Sequence, residues 1–173
     1  MTRRVSALAL YSTAAAALAV SLTAAAPFTR NALKWPPWLS IESPVNSFDA
    51  PSRSAALLVH TSLREGEAQL GDLTGAAEGL VNGARRSVPL HFDATSHPNV
   101  FAVRRQWPDG GAWVLRISLK STTAIIALDR SGSVASTRIP GTQSGNFLLP
   151  RVVESRDIDS ALAEAARRNV VTR

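Results

Sequence analysis

The chain has 173 residues, no cysteine and a formal net charge of +6. That length leaves room for one domain with tails, and the missing thiols exclude cysteine catalysis, Cys-ligated zinc, haem attachment through C-x-x-C-H and lipid anchoring through an N-terminal Cys. Only two of the 19 basic residues are Lys; an Arg bias beside so much Ala reflects GC-rich codon usage, so the charge does not point to a nucleic-acid partner.

Arg3 and Arg4 precede an uncharged Ala- and Leu-rich run from Val5 to Thr29 that passes the small residues Ala24, Ala25 and Ala26. This order of charge, apolar stretch and small-residue exit predicts a secretory signal over residues 1–26. The run also has the length of a membrane span, so an uncleaved N-terminal anchor is the alternative. In both cases the rest of the chain is expected to be exported: periplasmic, extracellular, or held on the outer face of the cytoplasmic membrane. Any membrane association would run through this segment if it is uncleaved. Without disulfides, the exported domain must rely on its core.

Residues 34–54 follow as a Pro- and Trp-containing arm or edge strand, opening with "KWPPWLSIESP". Trp35 and Trp38 have three readings: a membrane-interface anchor, an exposed stacking platform, or a clamp over one end of the domain. The alternation of "WLSIESP" favours the clamp, with the prolines delivering the chain extended.

From Ala55 to Pro140, apolar runs alternate with turn residues at spacings of roughly eight to twelve, the rhythm of an antiparallel sandwich of about seven to eight strands. "AALLVHTSL" is the first. "GAAEGLV" and "ARRSVPLHF" flank Asn82-Gly83, a type I′ hairpin signal, and Pro89 assigns the second of them to an edge or gives it a bulge. "VFAVRRQW" sets Phe101, Val103 and Trp107 on one face, and "PDGG" turns it into "AWVLRISL", implying a hairpin of two central strands, with Trp113, Leu115, Ile117 and Leu119 inward and Val114, Arg116 and Ser118 outward. Phe101, Trp107, Trp113, Leu115 and Ile117 are thus the expected core. "TTAIIAL" and "SVASTRI" form a further hairpin around "DRSG". Residues 141–156 read as a loop or linker in which "NFLLPRVV" could add one strand, and residues 157–170 as a helix with Asp157 as N-cap.

Few residues offer chemistry. His60 and His91 lie in expected strands and are the weak candidates for a two-His metal site across neighbouring strands. His97 lies in the loop "DATSHPN". No close ligand spacing accompanies them, and the one methionine is Met1, so no metal ion or other cofactor is expected. There is no G-x-S-x-G elbow. Glu65, Glu67 and Asp72 are explained by a solvated loop, so no catalytic residue is assigned. Arg85-Arg86 and Arg104-Arg105 would give a small basic patch if their strands lie close together.

The stretch "NVFAVRRQWPDGGAWVLRISL", with an aromatic strand, a glycine turn and a Trp-led final strand, resembles the exported YtkA-like and FixH-like group of immunoglobulin-like domains over roughly residues 74–119. The resemblance implies an immunoglobulin-like β-sandwich. The related copper carriers would imply an N-terminal His or a Met-rich loop, which the exported part of the chain lacks. The expected function is therefore a non-catalytic exported module that binds an envelope protein or membrane-surface component. Its contact residues would include Trp35, Trp38, His97 and Arg104 and the loops "REGEAQLGD" and "DATSHPN". The alternatives are copper-type metal delivery and a hydrolase whose site the sequence does not display.

Overall fold

The computed structural model describes residues 36–45, 52–63, 66, 68–144 and 147–171. The expected export signal, Trp35, Glu65 and Glu67 lie outside the described residues. Among the latter, no helix is long and apolar enough to cross a membrane.

The described chain forms strands β1 (Trp38–Glu42), β2 (Leu57–Ser62), β3 (Leu73–Val81), β4 (Ala84–Pro89), β5 (Asp93–Ala94), β6 (Val100–Val103), β7 (Ala112–Leu119), β8 (Thr122–Leu128), β9 (Val134–Arg138), β10 (Gly141–Ser144) and β11 (Phe147–Pro150), then helix α1 (Ser155–Val171). A four-stranded sheet has the order β1-β2-β6-β5 and a five-stranded sheet the order β4-β3-β7-β8-β9. Every neighbouring pair is antiparallel. The two sheets face each other across one core, so the expected all-β sandwich is present with more strands than anticipated.

Alternation builds that core. On β7, Trp113, Leu115, Ile117 and Leu119 are all buried between the sheets, against Leu57, Val59, Phe101 and Val103 of the smaller sheet. Trp107 joins them although β6 has already ended at Val103. Trp113 keeps its polar end satisfied, its Nε1 donating to the Gly110 carbonyl at 2.8 Å. Its ring lies on Gly79, the residue opposite it on β3. A Cβ at Gly79 would stand 2.5 Å from the ring carbons, so glycine is what lets the indole lie flat on the sheet. Asn82 and Gly83 close the β3–β4 hairpin with φ of 51° and 78°, the positive pair that a type I′ turn requires.

Four expectations are corrected. First, "VFAVRRQW" and "AWVLRISL" are not a hairpin. β6 belongs to the smaller sheet and β7 to the larger, so Arg104 to Gly111 is a connection between sheets. Secondly, the outward face of β7 is half buried: Ala112 and Val114 pack with Ile125 and Ala127 of β8 beneath Ile158, Ala161, Leu162 and Ala165 of α1. The helix is a third layer on the back of the larger sheet. Thirdly, residues 141–156 contain a hairpin, β10–β11, paired from Gly141↔Pro150 to Ser144↔Phe147.

Finally, α1 begins at Ser155 rather than after Asp157. Asp157 instead stands on the first turn, where its carboxylate accepts the Glu154 N–H at 2.9 Å, satisfying a donor at the helix start. The Arg151 guanidinium also grips that carboxylate through bonds of 2.6 and 2.8 Å. Arg151 first, and then the Glu154 N–H, hold Asp157 well below the usual carboxylate range.

Candidate functional site

The register of β1 decides what Trp38 does. Leu39 and Ile41 point into the core, so Trp38, Ser40 and Glu42 share the opposite face of the smaller sheet. Their partners on β2 are Ser62, His60 and Leu58. Leu39 is 3% exposed, whereas Trp38 is 57% exposed. Trp38 therefore does not clamp the sandwich; the inward place that a clamp would fill belongs to Leu39. Pro37 still ties the arm down, its carbonyl accepting the Thr122 hydroxyl of β8.

The outer face thus gathers an exposed indole and a polar pair. His60 Nε2 lies 2.8 Å from Glu42 Oε2, with about a third of each side chain open to solvent. β1 is an edge strand, paired on one side by β2. It is five residues long and bracketed by Pro36-Pro37 and Pro44, which supply no backbone donor and limit pairing to this short stretch. A large aromatic is thereby fixed in solvent on a rigid scaffold.

His91 is not on a neighbouring strand. β2 lies between β1 and β6 in the smaller sheet, while residue 91 follows β4, an edge of the larger one. The His91 backbone is held by Gln106, which accepts its N–H at 2.8 Å and donates to its carbonyl at 2.9 Å. The cross-strand His60–His91 arrangement is therefore not formed. Among the described residues no three His, Asp or Glu side chains come together as a metal site.

The loop "DATSHPN" is a tied turn. The Thr95 hydroxyl donates to the His97 and Val100 carbonyls at 3.1 and 2.9 Å. Asn99, at φ of 61°, accepts the Ala68 N–H through its side chain and the Thr61 N–H through its carbonyl, both at 2.8 Å. The His97 side chain stays exposed.

The arginine doublets do not assemble one basic patch, because β4 lies in one sheet and Arg104-Arg105 follow β6 of the other. Most of their charge is also paired. Arg85 meets Asp159 and Glu78, Arg104 meets Asp93 at 3.3 Å, and Arg105 meets Asp109. Trp38, an expected contact residue, and His60, a candidate metal ligand, share the outer face of the smaller sheet, with His60 opposite Ser40 and bonded to Glu42.

Comparison with protein-family models, with curated proteins and with solved structures finds no match for this chain.

Proposed function

We propose that this is an exported, non-catalytic immunoglobulin-like sandwich that binds another component of the cell envelope through the outer face of its smaller sheet. The observation that carries the reading is Trp38: 57% exposed, on a short edge strand whose inward positions are filled by Leu39 and Ile41. An indole offers a large contact area with few torsions to freeze, which is why Trp is enriched among residues that dominate interfaces. The His60–Glu42 pair, further along the same face, supplies directional hydrogen bonding. The position in the chain supports an envelope partner, because Trp38 follows closely on the apolar run that directs export. The likeness of residues 74–119 to the YtkA-like and FixH-like group supports the immunoglobulin-like class.

Photo-crosslinking in intact envelopes tests this. A photoreactive residue at position 62 of the full chain, exposed opposite Trp38 on β2, is expected to give a discrete adduct that Trp38→Ala removes, and one at Arg156, an exposed helix position on the other side of the larger sheet, is expected to give none. Equal labelling from positions 62 and 156, or no adduct from position 62 with Trp38 intact, would overturn the reading.

A further inference from the structure

The end of the larger sheet opposite the Lys120 turn carries an open cleft of about 410 Å³, between the start of β7, the turn joining β8 to β9 and the last turns of α1. That volume lies within the range typical of small-molecule sites, about 300 to 1,000 Å³. Its walls are chemically divided. Leu80, Ala112 and Ala166 supply apolar surface, whereas Arg130, Asn169 and the Gly110 backbone supply polar groups.

Arg130 is the cationic member of the lining. Arg85, Arg104, Arg105 and Arg151 all have carboxylate partners. The Arg130 guanidinium has no ion pair or hydrogen bond among the described residues. Its backbone is nonetheless well held, because Asp129 Oδ1 accepts the Ser131 and Ser133 N–H groups at 2.8 and 3.0 Å. The Asp129 N–H donates to the Ser133 carbonyl at 2.9 Å, closing the turn. The opposite wall is tied as well, with Asn169 Nδ2 donating to the Gly111 carbonyl at 3.2 Å.

We infer that this cleft binds a small amphipathic carboxylate, with the Arg130 guanidinium taking the carboxylate and Leu80, Ala112 and Ala166 taking the apolar body. A guanidinium presents parallel N–H donors that match the two oxygens of a carboxylate. The nearby C-terminal carbonyls of α1 disfavour an anion, so the attraction rests on Arg130. The site is separate from the face that carries Trp38 and does not depend on that reading.

The structure also supplies a reporter. Trp113 Nε1 donates to the Gly110 carbonyl, and Gly110 lines the cleft, so the Trp113 indole N–H resonance should respond to an occupant while that of Trp107 stays in place. The full chain, labelled with nitrogen-15, is titrated with octanoate and with octan-1-ol. The expected result is a saturable shift of the Trp113 indole resonance with octanoate and a much weaker response to the alcohol. Arg130→Gln should weaken octanoate binding by about tenfold or more, and Ala166→Phe, which fills the apolar wall, should abolish it. Arg130 is exposed on a turn, so its variant tests the idea even if Ala166→Phe does not fold; unshifted Trp107 and Trp113 resonances in the unliganded variant confirm its fold. No saturable shift up to about 10 mM octanoate, octanol binding as well as octanoate, or unchanged octanoate binding by Arg130→Gln would overturn the inference.

Discussion

The two faces of β7 are buried by different neighbours, and the contrast explains much of this molecule. Its odd-numbered residues, Trp113 to Leu119, lie between the two sheets along the whole strand. Its even-numbered residues divide: Ala112 and Val114 lie under α1, while Arg116 is exposed. One core is made by strands with regular alternation. The other is made by a helix that arrives from about 40 residues further along the chain and covers only part of the sheet.

The largest effect is expected in the inter-sheet core. Trp113→Ala removes a side chain that is 4% exposed and leaves a void over Gly79, which should cost about 3 to 5 kcal/mol. That is a large share of the roughly 5 to 15 kcal/mol that holds a typical domain together. Urea unfolding of the full chain would show it as a lowered midpoint or as loss of the folded baseline. In the helix–sheet core, Leu162→Ala truncates a residue that is 5% exposed. About 2 to 3 kcal/mol is expected, near the lower end of the range for buried Leu, because this layer is thinner. A Leu162→Ala midpoint equal to that of Trp113→Ala would show that the two cores are equivalent.

A smaller, pH-dependent effect belongs to the start of α1. Arg151, and then the Glu154 N–H, depress the Asp157 pKa below its unfolded value of about 4. A depressed carboxylate adds stability that is present above the unfolded pKa and is lost as the pH falls toward the folded one. Asp157→Asn should therefore lower the melting temperature at pH 7, with the gap to wild type narrowing as the pH drops below about 4. Thermal unfolding of both proteins from pH 7 to pH 2 measures it, and a gap independent of pH would contradict this role for Asp157.

How far the sequence disclosed all this depends on which contact is asked about. The inward phase of β7 and the Asn82-Gly83 turn are local, since periodicity and turn chemistry within about ten residues determine them; Pro89 narrowed β4 to an edge or a bulge, and the sheet order settles the edge. The helix–sheet core is not local, and alternation along β7 alone assigned Val114 to solvent. A signal was present in "TTAIIAL", where Ile125 and Ile126 are consecutive and both buried; a continuous apolar run is the mark of a strand covered on both faces. The β6–β7 error has a similar origin, because a glycine turn between two apolar runs does not say whether the chain stays in one sheet.

The candidate surfaces follow the same rule. The outward phase of Trp38 relative to Leu39 and Ile41 was legible from alternation, but the meeting of His60 with Glu42 required the β1–β2 register. Sequence reading missed the Arg130 cleft. Its one signal was topological: "PDGG" precedes β7 and "DRSG" follows β8, and these are antiparallel neighbours, so the two turns stand at the same end of the sheet.

The central claim, that α1 closes a second core over only half of the β7 outer face, is tested most directly by placing the same charge two residues apart on that face. Val114 is fully buried under α1, and Arg116 lies beyond it. Val114→Asp would bury an unpaired carboxylate, so the full chain should be largely unfolded in the absence of urea. Arg116→Asp should shift stability by less than about 1 kcal/mol. Similar urea midpoints for the two variants would contradict the account.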